Sequence, residues 1–419
     1  MNRGNLSNGE AKLELHDPYA ALRFRDYRLF AIGYVCSAIG YQMQSVAIGW
    51  ELYERTGSAM VLGVVGLVQA LPIIALTLPA GHVADQCDRQ RIVLMTQLML
   101  AFCSIGLAVL SYRQGAISLI YACLLFSGVA RAFNKPASDS LLPSLVPIKV
   151  FNNAVTWNSS AFQVASVVGP ALGGLVIGLL HRATLVYVLN VVLALTCFGF
   201  IAFIVTKQPP RSTKAVTLKS LMAGVGFVWH TKVILATITL DLFAVLLGGA
   251  TTLLPIFAKD ILHVGPTGLG WLRAAPAVGA FLMAVLIAHL PPMKRAGKNL
   301  LWAVAGFGVA TLVFGISRSF WLSLLMLLLT GAFDNISVVV RHTLVQVKTP
   351  DYMRGRVSAI NSVFINTSNE LGGFESGFAA ALFGPVVSVV VGGIGTIAVV
   401  LAVASIWPQI RQLGSLQDG

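Results

Sequence analysis

The sequence predicts an all-α integral membrane protein: twelve transmembrane helices in two pseudo-symmetric six-helix halves. Three observations carry this prediction. Hydrophobic residues make up 56% of the 419-residue chain and charged residues only 11%. A soluble domain carries about 25% charged residues, so most of this surface is expected to face lipid. The second observation is an internal repeat. The stretch Gly128-Val-Ala-Arg131-Ala-Phe-Asn134-Lys-Pro136, with Val146-Pro147 and Asn158-Ser159 after it, returns at a constant offset as Gly331-Ala-Phe-Asp334-Asn, Thr349-Pro350 and Asn361-Ser362. Gly81-His82 through Asp85 is echoed by Ala288-His289 through Pro292. A membrane protein built from two similar halves reads as a carrier, because a site between them can open to one side and then to the other. The third observation is the distribution of Lys and Arg.

Apolar runs of about 20 residues, long enough to cross a bilayer, lie near 28–50, 59–81, 92–112, 116–134, 154–180 and 184–206, then 233–258, 267–290, 300–317, 320–340, 356–383 and 385–407. Assigning alternate connections to one side puts 23 of the 29 Lys and Arg on that side. Only Arg55, Arg113, Arg182, Lys259, Arg273 and Arg318 remain opposite. The basic side is therefore expected to be cytoplasmic, with both termini inside. The predicted organisation is a head 1–27, a half 28–206, a linker 207–232, a half 233–407 and a tail 408–419. Met1 to Tyr27 is polar with no apolar core, so the first span is expected to serve as an uncleaved insertion signal. The linker opens Lys207-Gln-Pro-Pro-Arg211 and continues into a short amphipathic stretch from Leu218 to Trp229, expected to lie in the membrane surface. The net charge of +13 follows from this sidedness and does not call for nucleic acid.

The five cysteines, Cys36, Cys87, Cys103, Cys123 and Cys197, have neither disulfide nor metal spacing. They read as small packed hydrophobes. No metal or cofactor is expected. The phosphate loop, zinc-helix and nucleophile-elbow motifs are absent from the sequence, and His82, His289 and His342 are scattered, which argues against an enzyme.

The loop Gly81-His-Val-Ala-Asp85-Gln-Cys-Asp88-Arg89-Gln-Arg91 resembles the signature between spans 2 and 3 of the major facilitator superfamily. Asp88-Arg89, Asn134-Lys-Pro136 through Pro147 and Arg354-Gly355-Arg356 are similar to the branch holding bacterial siderophore exporters of the enterobactin type. The resemblance runs from about residue 20 to 405. It implies the major facilitator fold, a bacterial inner-membrane location, a monomer, and export of a small molecule by antiport, with protons as the coupling ion. It also implies that Asp85 at a helix end meets the N-terminus of span 11, where Arg354 and Arg356 wait, so that this gating loop holds the cytoplasmic side shut. Gly81 then allows close approach of a neighbouring helix. Gln86 and Pro292 depart from the family pattern, which makes the clamp one-sided.

Span 5 carries Ala165, Gly169, Pro170, Gly173 and Gly174, similar to the span-5 motif of antiporters. The small residues share one helix face and suit tight packing. Ionisable groups inside the bilayer are costly and so are functional candidates. Asp241, Glu370 and Glu375 are the proton-coupling candidates, and Arg131 with Asp334, at matched positions near the cytoplasmic ends of spans 4 and 10, are candidates for intramembrane pairing or gating. The Arg that antiporters carry in span 4 is replaced by Leu124. Tyr41, Gln42, Gln44, Gln69, Asn158, Gln163, Asn361, Asn366 and Asn369 are the expected cavity lining, suited to an amphipathic organic molecule such as a siderophore or drug-like compound. Trp50, Trp302 and Trp321 are expected in the interfacial belt. A uniporter or importer without proton coupling, a channel and a membrane-embedded enzyme are the alternative readings.

Overall fold

The computed structural model describes residues 17–206, 225–291, 293, 295–412 and 414. The head before Asp17, most of the linker, Pro292 and the end of the tail lie outside the described residues, so the readings made for them are not addressed. Among the described residues the chain is helical, with no strand. The long helices are α1 (Arg25–Thr56), α2 (Ala59–Gln86), α3 (Arg89–Tyr112), α4 (Ile117–Leu145), α5 (Phe151–Leu180), α6 (Thr184–Ala202), α7 (Lys232–Leu247), α8 (Gly265–His289), α9 (Ala296–Ile316), α10 (Phe320–Lys348), α11 (Asp351–Phe383) and α12 (Pro385–Ile406). Ten segments among the described residues are long and apolar enough to cross a membrane. Helix α1 falls short of that criterion because Tyr41-Gln42-Met43-Gln44-Ser45 interrupts its apolar run.

Helix ends follow local chemistry. Asp88 accepts the backbone N–H of Arg91 at 3.1 Å and so caps α3. Gly57, at φ 60°, closes α1 in the left-handed conformation that glycine adopts without strain. Asp26 ties the start of α1 to the end of α6, accepting the backbone N–H groups of Val205 at 3.2 Å and Thr206 at 2.8 Å.

Two expected connections are helix instead. Residues 131–150 were expected to form a loop, yet α4 runs on to Leu145 with Pro136 and Pro143 inside it. Likewise α10 continues to Lys348. Span 7 differs the other way. It breaks after α7 at Gly248-Gly249 and resumes as short helical turns from Ala250 to Ile261. The break is steric as well as local. A Cβ at Gly249 would meet the Gly372 carbonyl oxygen of α11 at 2.6 Å, and Pro255 just beyond has no N–H to extend a regular helix.

The packing repeats with the sequence. Helix α1 packs on α5 and α6, α2 on α4, and α3 on α4 and α6; six helices later α7 packs on α11 and α12, α8 on α10, and α9 on α10 and α12. The repeated glycine explains part of this. A Cβ at Gly128 would lie 3.1 Å from Cγ of Pro72, and one at Gly331 would lie 1.8 Å from the Pro276 carbonyl oxygen. In each set a proline-bearing helix is thus admitted against a glycine of the next helix but one. Across the sets, α2 packs on α11 and α5 on α8.

The cores differ at the two ends. One apolar cluster draws on both sets, from Met43, Leu52 and Ile177 to Leu253, Phe257, Leu269 and Phe314. It occupies the end at which α1, α3 and α5 finish. At the other end the sets have separate clusters, one around Tyr27, Phe30, Leu141 and Cys197, the others around Leu240, Leu300 and Val340 and around Ile234 and Val357. The bundle is sealed at one end and parted at the other. Trp50 is only 7% exposed and belongs to the sealed cluster, whereas Trp302 and Trp321 are exposed.

Candidate functional site

Between the two sets lies a cavity of about 110 Å³, lined by Tyr41 and Ser45 of α1, Gly66 and Gln69 of α2, Thr252 of the broken segment, Arg273 of α8 and Glu370 of α11. Its polar wall exists because α1 and α11 carry their polar residues where the sets meet. Arg273 is held in place at both ends of its guanidinium. It donates to Oγ of Ser45 at 3.0 Å, across the sets, and to the Thr251 carbonyl at 3.2 Å. Arg131 of α4 stacks its guanidinium on the Tyr41 ring, 3.9 Å from the centroid. Such a contact is worth roughly 0.5–2 kcal/mol. The Nε of Arg131 is buried with no hydrogen-bond partner. Glu370 lies within electrostatic reach of both Arg131 and Arg273. Glu370 and Arg273 therefore share the cavity wall, with Arg131 on the Tyr41 ring beside it.

Arg273 is the functional side chain that sequence reasoning missed. It was counted among the cations of outer connections, but it sits in the third turn of α8 and faces the cavity. The signal was present, since its position falls inside the apolar run 267–290, where a charge is a candidate by cost alone. Arg131 is corrected too. It lies midway along the 29-residue α4, not at its end. Among the described residues no ion pair joins it to Asp334; its neighbour is Tyr41.

Asp241 is brought to a different partner. It forms an ion pair with Arg341 of α10, and both are buried, at 6% and 3% exposure. This pair lies within α7–α12, away from the cavity-lining set. Glu375 is half-buried on α11, one to two turns beyond Glu370, beside Ser376.

The expected polar lining divides. Tyr41 and Gln69 line the cavity. Gln44 does not: it turns away into α3 and α6, accepting from Ser104 Oγ at 2.8 Å and from Asn190 Nδ2. Gln42 donates to Ser166 Oγ at 3.1 Å and so links α1 to α5. Asn158 is half-buried, with a buried Oδ1 that has no partner. Gln163 and Asn361 are half-buried, while Asn369 is exposed and donates to the Ile365 carbonyl of its own helix. Asn366, Arg354 and Arg356 lie outside the described side chains.

The span-5 motif packs as small residues do. A Cβ at Gly169 would meet Gln42 Cβ at 2.5 Å, and one at Gly173 would meet the Met43 carbonyl oxygen at 3.0 Å. Gly174 faces the other set, where a Cβ would meet the Pro266 carbonyl oxygen at 2.5 Å and Gly270 Cα at 2.8 Å. Pro170 bears on the same contact, since its carbonyl oxygen would lie 2.6 Å from a Cβ on Gly270, and Ala165 is fully buried. Gly81 behaves oppositely. Among the described residues a Cβ there would meet nothing within 4 Å in this conformation. Asp85 is half-buried in the last turn of α2. Asp88 caps α3 and pairs with Arg91 at 3.6 Å, while Arg89 donates to the Ser140 carbonyl at 3.1 Å. The loop thus caps α3 through Asp88 and reaches α4 through Arg89.

A helical membrane bundle with a charged cavity between two sets of helices, sealed at one end and parted at the other, defines a membrane transporter. The chain belongs to the transmembrane secretion effector family of the major facilitator superfamily, whose model matches residues 16–415. The multidrug efflux pump Tap of Mycolicibacterium fortuitum is 26% identical over 78% of this chain and 82% of its own length. The enterobactin exporter EntS of Citrobacter koseri is 24% identical over 98% of this chain and 97% of its own. The staphyloferrin A transporter of Staphylococcus aureus is 24% identical, covering 87% and 91%. The fold is shared with the nucleoside transporter NupG, at TM-score 0.73 and 11% identity over 91% of this chain and 99% of that one. It is also shared with a bacterial homologue of the lysosomal transporter Spinster, at TM-score 0.69 and 13% identity over 94% and 99%. The family and these relatives are membrane transporters, not enzymes.

Proposed function

We propose that the chain is a secondary active exporter that works by alternating access between two six-helix halves, 28–206 and 233–407, and moves a small amphipathic organic molecule out of the bacterial cytoplasm in exchange for protons. The observation that carries the reading is Glu370, a carboxyl that shares the wall of the cavity between the helix sets with Arg273. Protonating it removes one charge from the centre of the site, and that is the change a proton-coupled carrier needs. The difference between the sealed and parted ends supports alternation. With the basic side inside, the parted end holding Gly81 and Asp85 faces the cytoplasm, and the conformation is the one that loads an exporter. The efflux and siderophore-export relatives support the direction and the substrate class.

On this reading twelve spans cross the inner membrane and the monomer needs no partner beyond lipid, substrate and proton. Asp241 passes from proton carrier to structural ion pair, and Glu375 to a secondary carboxyl near the sealed end. The gating loop acts in the opposite conformation, when the Gly81 end closes. The test of coupling is Glu370→Gln in proteoliposomes. It should abolish uphill efflux driven by a pH gradient and retain downhill exchange. Native uphill rates in the variant would remove Glu370 from coupling. A reporter active only outside the cytoplasm, fused after Gly414, should stay silent; strong activity would overturn the topology.

A further inference from the structure

We infer that the sealed end opens on one side only: the segment Ala250–Ile261 swings about Gly248-Gly249, while a polar seam to α3 and α6 holds α1 as a fixed frame. The inference rests on the proposed alternation and assigns the moving part within it.

The seam begins in sequence spacing. Ser37, Gln44 and Glu51 recur every seven residues on α1, and Gln97, Ser104 and Ser111 do so on α3. Seven residues make about two helical turns, so each trio shares a face. The first rung joins α1 to α3, with Gln97 Nε2 donating to Ser37 Oγ at 3.0 Å. The second joins all three helices. Ser104 Oγ donates to Gln44 Oε1 at 2.8 Å, and Nδ2 of Asn190 on α6 donates to Ser104 Oγ at 2.9 Å and to Gln44. At the third rung Tyr187 donates to Glu51 Oε2 at 2.8 Å, and Ser111 Oγ lies 2.8 Å from Thr184 Oγ1. Arg55 then pairs with Glu51 at 3.3 Å and donates to the Gly115 carbonyl beyond α3. Side-chain hydrogen bonds across helices act as glue in lipid, where no hydrophobic drive holds helices together. Being directional, they also fix the rotation of each helix. The seam stands apart from the cavity lining, so its role is mechanical.

The second set is joined differently. Among the described residues one side-chain hydrogen bond links α7, α9 and α12, from Thr396 Oγ1 to the Ala244 carbonyl at 3.4 Å, and it lies before the break. Where Ser104 meets Asn190 in the first set, Gly308 of α9 meets Gly393 of α12, and a Cβ at Gly308 would lie 3.1 Å from the Gly393 carbonyl oxygen. Such a contact is close but undirected. Helix α1 runs unbroken from Arg25 to Thr56, whereas span 7 stops at Gly248-Gly249. Glycine tolerates the backbone changes a hinge must absorb. Beyond it, Phe257–Ile261 is wound as a π turn, a form that recurs where function interrupts a helix.

The segment is placed to act as a lid. Thr252 and Pro255 line the cavity. Two latches hold it: the Thr251 carbonyl accepts from Arg273 at 3.2 Å, and the Asp260 carboxylate accepts from Tyr53 of α1. Both can release without unwinding a helix.

Double electron–electron resonance can follow this movement in the full-length protein in phosphatidylcholine nanodiscs, with the native cysteines replaced by Ala. Three labelled pairs report on the sealed end: Glu54→Cys with Leu185→Cys inside the first set, His263→Cys with Val387→Cys inside the second, and Glu54→Cys with His263→Cys across them. All four positions are exposed. Tyr53→Phe with Arg273→Gln removes both latches. It should lengthen the cross-set distance and shift the second-set distance by about 5 Å, roughly one helical turn, with the first-set distance unchanged. Equal shifts inside both sets, or a longer cross-set distance with both sets rigid, would overturn the inference and leave alternating access standing. A cross-set distance that stays fixed would overturn opening at this end and the inference with it. The frame has its own test. Gln44→Leu with Ser104→Ala should broaden the first-set distance distribution, and a distribution as narrow as the native one would remove the seam's role.

Discussion

Tyr53, near the end of α1, donates its hydroxyl hydrogen to the carboxylate of Asp260 in the segment after α7, joining the two helix sets directly at the sealed end. Lys259 stands 5.7 Å from the same Tyr53 ring. A hydrogen bond to a charged group contributes about 1.5–3 kcal/mol, enough to shift a two-state equilibrium by roughly tenfold or more. Tyr53→Phe should therefore raise the population open at this end. Single cysteines placed on that side of the cavity should react faster with a membrane-impermeant thiol reagent added outside. Unchanged reactivity would leave Tyr53–Asp260 as a passive contact.

The glycines at the two ends predict opposite responses. Gly174→Val should wedge α5 from α8, because its Cβ would already lie 2.5 Å from the Pro266 carbonyl oxygen and 2.8 Å from Gly270 Cα. Gly81→Ala meets open space in this conformation. Thus Gly174→Val should disfavour the sealed end and raise outside thiol access, whereas Gly81→Ala should leave that access unchanged while slowing turnover, if closure of the Gly81 end completes the cycle. Equal effects of the two substitutions on access would argue against end-specific gating.

The Asp241–Arg341 pair is buried on both sides. Removing one partner strands the other charge, at a cost of about 3–5 kcal/mol, whereas replacing both is far milder. Asp241→Asn should lower the detergent-solubilised protein's melting temperature, and Asp241→Asn with Arg341→Met should recover most of it together with transport. A stable single variant that has lost only pH-gradient coupling would return Asp241 to the list of proton carriers.

At the end of α6, burial tends to raise the Asp26 carboxyl, but hydrogen bonds from the Thr206 hydroxyl and the Thr206 and Val205 N–H groups outweigh it, with help from Arg25, and hold it below its ordinary value. A carboxyl depressed in the folded state adds stability above its unfolded value near pH 4 and loses it as pH falls through the folded one. Stability measured from pH 6 down to pH 3 should drop less steeply for Asp26→Asn than for the native protein. Parallel curves would mean that Asp26 is equally free to titrate in both states.

The sequence by itself determined the membrane class, the apolar spans, the internal repeat and the family resemblance, because each is written in local periodicity and composition. Hydrophobic runs need about 20 residues whatever they pack against, and the repeated Gly128 and Gly331 announce close contacts without naming the partner. Tertiary structure alone decided which polar groups meet. Gln44 and Tyr41 lie three residues apart on one helix, yet Gln44 turns to Ser104 and Asn190 while Tyr41 faces the cavity and Arg131. Asp241 and Glu370 look alike along the chain, but one pairs with Arg341 and the other shares the cavity wall with Arg273. The partners stand on different helices, so their pairing depends on how helices rotate and cross. Arg273 shows the same limit: its place in an apolar run marks it as costly, and only the approach of Ser45 and Thr251 tells what it is there to hold.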